Sequence, residues 1–467
     1  MPYNYQHMLE QLPPEWPEDV LPGLQREVRS AGSTIVVLDD DPTGTQTVYD
    51  VPILTRWSED ILKAELQTAP PLFYILTNSR SLTESDAAEL ARTIGSNLNR
   101  AAVETGRAVT VISRSDSTLR GHYPAEVDTL AGALGMSDAV HVVIPFFGEG
   151  GRLTIEDVHY VREGDDLKPA HETPFAADAV FGYSTANLKD WIAEKTGGRI
   201  PAEFVRSVSL ADIRQGGPER VRDVVMACRP GEACVINAVT YRDMEVAAYG
   251  LLQAEQAEKP LIYRTAASFV RVRAGLKARP LLQAEDLQLT ATGGGLVVVG
   301  SYVEKSTVQL THMLKNTKCV PVEISVADLL NDDARQQTIQ QTITRIDDAL
   351  QQQKTAVLYT SRTLLTVDAA AGNLAIGQSV SAALVAVVRG IQSIPRYVLA
   401  KGGITSSDLA TRAYSATRAQ VLGQILPGVP VWRFVANSRV PNMAYIVFPG
   451  NVGEADALTQ IVAMLQP

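Results

Sequence analysis

Three consecutive acids, Asp39-Asp40-Asp41, run into the turn-prone stretch Pro42-Thr43-Gly44-Thr45. Carboxylates and hydroxyls crowded in this way suit hydroxyl recognition or Mg²⁺ ligation. Two further polar clusters follow: Thr77-Asn78-Ser79-Arg80, then Ser113-Arg114-Ser115-Asp116-Ser117-Thr118-Leu119-Arg120-Gly121-His122. Hydroxyls interleaved with guanidinium groups can grip a compact polyol acid. A charge-assisted hydrogen bond to its carboxylate contributes about 1.5–3 kcal/mol, against about 0.3–1 kcal/mol from a helix N-terminus, so arginines are the expected carboxylate clamp. Any one cluster also fits a helix cap or a solvated loop. Three of them, each following an apolar run, favour a ligand site.

The second half of the chain carries a different chemistry. Val299-Gly300-Ser301-Tyr302-Val303-Glu304-Lys305-Ser306-Thr307 superficially resembles a P-loop, but the Gly required immediately before Lys is missing, which disfavours a Walker-type NTPase. A Gly turn, a Ser hydroxyl and amides opening a helix still suit a phosphate. The pattern recurs at Ala400-Lys401-Gly402-Gly403-Ile404-Thr405-Ser406-Ser407-Asp408 and at Phe448-Pro449-Gly450-Asn451-Val452-Gly453-Glu454. Adjacent glycines let backbone approach a ligand closely, so three such turns point to a nucleotide pocket.

Other chemistries are disfavoured. Gly148-Glu149-Gly150-Gly151 fails the dinucleotide fingerprint because Leu153 occupies the last glycine position. His122, His141, His159 and His171 lack the i, i+4 spacing of a helix-borne metal site, and only His122, beside the Ser-Asp-Ser-Thr loop, warrants a test. Cys228, Cys234 and Cys319 form no CxxC pair and read as reduced thiols. With 42 Lys plus Arg against 52 Asp plus Glu, the net charge of -10 repels nucleic acid and anionic membrane. The absence of a secretory pattern at the start and of long apolar runs leads us to expect a cytoplasmic protein.

Apolar, β-branched runs alternate with helical patterns and position these clusters. Thr34 to Leu38, Leu72 to Leu76, Val109 to Ile112 and Val140 to Ile144 read as buried strands, with a helix over Thr83 to Thr105 completing a βαβ unit. The middle, about Gly148 to Gln288, is less regular, with strands expected at Ala233 to Asn237 and Leu261 to Arg264. After Thr292-Gly293-Gly294-Gly295 a second α/β series begins, with strands at Leu296 to Val299, Val320 to Ile324, Ala356 to Tyr359, Tyr397 to Ala400 and Tyr445 to Phe448. The fold class is therefore α/β with two domains, each a mainly parallel sheet flanked by helices. The expected division is an N-terminal extension at 1–33, an acid-binding domain at 34–289 and a nucleotide-binding domain at 290–467.

Taken in order, Asp39 to Thr45, Asn78-Ser79-Arg80, Ser115 to Gly121, Gly300-Ser301, Gly402-Gly403-Ile404-Thr405 and Pro449-Gly450 resemble the four-carbon acid sugar kinase family, formerly a family of unknown function. The resemblance spans roughly residues 34 to 460. It implies ATP- and Mg²⁺-dependent phosphorylation of a tetronate such as threonate or erythronate, or of a related 3-oxo acid, in a cleft between the domains. Ser301, Gly402, Gly403, Ile404, Thr405 and Gly450 would contact ATP. Asp39, Asp40, Arg80, Ser115, Asp116, Arg120 and Gly121 would face the acid, with Asp116 first and Asp40 second as the group orienting or deprotonating the acceptor hydroxyl. A homodimer is the family-level expectation. The extra N-terminal segment and Tyr302-Val303-Glu304-Lys305 depart from the usual pattern. A two-lobed acid-binding protein without catalysis and an ATP-dependent ligase are the competing readings.

Overall fold

A computed structural model describes residues 3–290, 292–300, 303–362 and 370–466. Two compact units emerge, one comprising residues 1–40 and 56–278, the other 41–55 and 279–467. The segment just beyond Asp40 thus leaves the first unit and returns to it at Arg56, an excursion that a single division near residue 290 does not contain.

The first unit is built on seven strands: Thr34–Asp39 (β1), Leu72–Leu76 (β2), Val109–Arg114 (β3), Val140–Ile144 (β4), Arg206–Val208 (β5), Ala233–Ile236 (β6) and Leu261–Thr265 (β7). All pair in parallel, in the order β5-β6-β4-β7-β3-β1-β2. Strands such as Ile35-Val36-Val37-Leu38 are buried throughout, as expected of a parallel sheet covered on both faces. Thr83 caps the Glu84–Thr105 helix through Asp86 N, and Gly106 closes it in the left-handed conformation. The irregular middle contains a small antiparallel sheet of Tyr3–Asn4, Asp166–Pro169, Val158–Glu163 and Arg152–Ile155. The N-terminal segment is therefore woven into this unit: it supplies an edge strand, and its Leu21–Ala31 helix buries Leu24.

In the second unit, five strands run parallel: Leu296–Val299 (β8), Val320–Ile324 (β9), Ala356–Thr360 (β10), Val398–Lys401 (β11) and, after an intervening hairpin, Ala444–Phe448 (β14). The hairpin, Arg418–Leu426 (β12) and Val429–Phe434 (β13), extends the sheet antiparallel beside β14, and Val51–Leu54 pairs antiparallel with β12. Val297, Val299, Leu399, Ile446 and Phe448 join Leu458 and Ile461 of the last helix in one buried core.

Candidate active site

The polar clusters converge in the first unit because their strands are neighbours. Thr265, Arg114, Asp39 and Leu76 are successive register partners across β7, β3, β1 and β2, so the residues beyond them emerge from one edge of the sheet. Carboxyl ends of adjacent parallel strands are the usual ligand edge of such sheets.

There, Arg114 Nη1 lies 3.0 Å from Asp39 Oδ1 and 3.4 Å from Asp40 Oδ1. Arg80 Nε stands 3.1 Å from Asp40 Oδ2, which also accepts a 3.0 Å hydrogen bond from Ser115 Oγ. Asp116 is held by Arg80 Nη1 at 3.4 Å, by Arg120 Nε at 2.9 Å and by the amide and hydroxyl of Thr118. Burial alone would raise the Asp116 carboxyl, but the two guanidinium groups hold it well below the usual carboxylate range. A carboxylate so occupied is a poor proton acceptor. Gly121, at φ +120°, is required by packing, since a Cβ there would lie 2.6 Å from Ser115 Oγ and 3.4 Å from Asp40 Oδ2. Thus Asp39, Asp40, Arg80, Ser115, Asp116, Arg120 and Gly121 form one network.

Neighbours beyond these residues surround it. Arg114 and Arg264 are buried among these residues. Burial, with Asp40 nearby, pushes Glu126 up to about 7 against the stabilising Ser79 hydroxyl. His122 is buried with Nε2 3.2 Å from the Ser79 carbonyl and its ring edge-on to Phe181, a loop brace. Among the described residues no group of three or more His, Cys, Asp or Glu is placed to hold a metal ion.

In the second unit, Val299, Lys401 and Phe448 are register partners across β8, β11 and β14, so Gly300, Gly402 and Pro449 leave the sheet side by side. Gly402 (φ +111°) donates its amide to the Phe448 carbonyl at 2.8 Å. A Cβ on Gly300 would lie 2.3 Å from Thr405 Oγ1, and one on Gly403 would lie 2.9 Å from Asp41 Oδ2. The Gly450 carbonyl accepts from Ser306 Oγ, and Gln309 Nε2 donates to the carbonyls of Val452, Gly453 and Glu454, which pins this turn to the Glu304–Asn316 helix. Ile404 is exposed beside the glycine pair. Ser301 lies outside the described residues.

Lys401 is fully buried beneath these turns. Its Nζ donates to the Pro449 carbonyl at 2.6 Å and the Gly450 carbonyl at 3.1 Å, and sits 4.0 Å from the Phe448 ring centre. Burial, and secondarily Lys305, push its ammonium down to about 7. Arg362, just beyond β10, donates to the Val299 carbonyl at 3.2 Å. Crowded glycines, backbone donors and two cations at one sheet edge fit the phosphates of a nucleotide.

Comparison with known proteins agrees with this division of chemistry. Residues 35–273 match the model of a sugar-binding N-terminal domain, and residues 296–458 that of a nucleotide-binding C-terminal domain. The chain belongs to the four-carbon acid sugar kinase family. This family member is 28% identical over 370 residues to a D-threonate kinase of Salmonella typhimurium, covering 76% of the chain and 80% of the relative. It is 25% identical over 234 residues to a D-erythronate kinase of Heliobacterium modesticaldum, covering 47% and 48% respectively. Its fold is shared by a Salmonella typhimurium LT2 protein solved under a tRNA synthase description, with TM-score 0.66, 16% identity and coverage of 92% and 98%. A Haemophilus influenzae protein solved as a family of unknown function gives TM-score 0.61, 18% identity and coverage of 92% and 100%. The four-carbon acid sugar kinase is a phosphotransferase with an alcohol acceptor and uses ATP, which leaves the binding-protein and ligase readings without support. Among the described residues no helix is long and apolar enough to cross a membrane.

Proposed function

We propose that this kinase transfers the γ-phosphoryl group of ATP to a hydroxyl of a tetronate, with threonate and erythronate the first candidates, and that the Asp40-Arg80-Ser115-Asp116-Arg120 network receives the acid. The observation that carries the proposal is the meeting of these hydroxyls and guanidinium groups at the ends of adjacent strands in the sugar-binding unit. A four-carbon acid offers one carboxylate and several hydroxyls, the groups that guanidinium, hydroxyl and carboxylate side chains recognise.

In the reaction the bond from Pγ to its bridging oxygen breaks, that oxygen leaves on ADP, the acceptor oxygen bonds to Pγ, and the hydroxyl proton passes through the orienting carboxylate to solvent. The transition state of such transfers is loose, so orienting the hydroxyl matters more than strong basicity. Asp40, shared among Arg114, Arg80 and Ser115, accepts fewer donors than Asp116, which is taken up by Arg80, Arg120 and Thr118, and so suits that role better. Asp116 instead fixes the two arginines. Gly402, Gly403, Thr405 and Gly450 would seat the phosphates, with Lys401 beneath them. Asp41, against Gly403, would hold Mg²⁺, which supplies charge neutralisation on the phosphates when bound.

Purified protein with ATP and Mg²⁺, assayed for ADP release across D- and L-threonate, D- and L-erythronate, their 3-oxo relatives and longer sugar acids, tests the proposal. Turnover confined to four-carbon acids is expected; preference for a longer acid would refute it.

A further inference from the structure

Arginines are the expected carboxylate clamp and the family resemblance turns Arg80 and Arg120 toward the acid, yet both already face aspartates in the folded protein. Arg80 meets Asp40 and Asp116, Arg120 meets Asp116 and Asp178, and Arg114 meets Asp39 and Asp40. The fourth arginine of the cluster differs. Arg264, near the end of β7, is 1% exposed, and among the described residues no carboxylate oxygen lies within 4.0 Å of it.

Its Nη2 donates to the Arg120 carbonyl at 2.9 Å and lies 3.4 Å from Ser115 Oγ. Nε and Nη1 are enclosed and have no hydrogen-bond partner among the described residues. The Trp191 ring, 5.3 Å from the guanidinium carbon, supplies a cation–π contact but no acceptor for those two nitrogens. A guanidinium stays charged in a protein, and a buried charge with unmet donors is costly unless something anionic or polar completes it. Asp116 and Asp40 favour the charge only from farther away.

We infer that Arg264 reads the carboxylate of the acceptor and so makes the enzyme select sugar acids over neutral polyols of the same length. The inference rests on the kinase reading above and deepens it. Arg80 and Arg120, charge-matched within the protein, then bound the site and address hydroxyls, while the unmatched positive charge lies under the Ser115–Gly121 loop. Gly121 keeps side-chain bulk away from Ser115 on that loop. A substrate carboxylate supplies both the charge and the acceptors that Arg264 lacks, whereas a polyol hydroxyl supplies no charge.

The test compares wild type, R264Q and R264K as full-length enzymes. Steady-state KM and kcat are measured for the best four-carbon acid and for the corresponding neutral polyol, used as substrate or competitive inhibitor, with ADP affinity measured by calorimetry. R264Q is expected to raise the acid KM by about 10- to 100-fold, the scale of one lost charge-assisted contact, while polyol and ADP affinities stay within about twofold. R264K should recover part of the preference for the acid. An acid KM within about threefold of wild type overturns the inference, and so does an equal loss for acid and polyol, since a loop brace would weaken both. If wild type phosphorylates no four-carbon acid, the kinase assignment to that class fails separately. Direct calorimetry of acid binding to wild type and R264Q then still decides Arg264, with weaker binding to the variant supporting it and equal binding refuting it.

Discussion

Arg80 spans two aspartates, with Nε 3.1 Å from Asp40 Oδ2 and Nη1 3.4 Å from Asp116 Oδ1. One guanidinium therefore ties the exit of β1 to the loop after β3, and removing either carboxylate breaks that tie. Asp116 accepts more donors than Asp40 does and contributes mainly by holding the arginines. Asp116→Asn should raise the KM for the acid by about 10- to 100-fold and lower kcat less than Asp40→Asn does, with ADP affinity unchanged. A kcat loss confined to Asp116→Asn would show that Asp116, not Asp40, orients the hydroxyl.

The glycine turns of the second unit make an opposite prediction. A methyl group on Gly403 meets Asp41 Oδ2 at 2.9 Å, and one on Gly300 meets Thr405 Oγ1 at 2.3 Å. Gly403→Ala and Gly300→Ala should each weaken ADP binding about tenfold or more by calorimetry, while acid binding stays at the wild-type level. Loss of acid binding in both would place these glycines in general stability instead.

Lys401 links nucleotide affinity to pH. Burial and Lys305 push its ammonium down to about 7, and phosphate anions above it would favour the charged form. Nucleotide binding should therefore take up protons, and ADP affinity should fall about three- to tenfold between pH 6.5 and 8.5. Lys401→Met should weaken binding and flatten that dependence; an unchanged slope would free Lys401 of the role.

Glu126 links stability to pH. Its carboxyl is raised to about 7 in the folded state, chiefly by burial, so between about pH 4.3 and 7 the folded protein binds the proton that the unfolded chain releases. The contribution is fully present below about pH 4.3 and is lost as pH rises through about 7. Glu126→Gln should remove this decline, on the order of 1–3 kcal/mol, as read from urea midpoints at pH 5 and pH 8. A parallel shift of both midpoints would contradict it.

Much of this architecture was legible because buried parallel strands are unbroken apolar runs. Leu72 to Leu76 and Leu296 to Val299 coincide with observed strands, and Thr83 marks a helix start by its capping chemistry. The β12–β13 hairpin was missed although it left a trace: Ala419, Val421, Gly423 and Ile425 alternate buried with more exposed neighbours, and Pro427-Gly428 makes the turn. The acceptor loops were legible as dense hydroxyl and charge. Which arginine has no carboxylate partner among the described residues was not, because Arg264 in Leu261–Thr265 differs from Arg114 only through side chains brought in from distant positions. Lys401 was likewise hidden, since a lysine beside two glycines reads as exposed until the Pro449 and Gly450 carbonyls fold over it.

The most direct test of the central claim is identification of the phosphorus product by ³¹P NMR after full turnover of ATP with the best tetronate. A phosphomonoester of the acid equal in amount to the ADP formed is the predicted result. Inorganic phosphate in place of the ester, or ADP formed without dependence on the acid, would contradict the account.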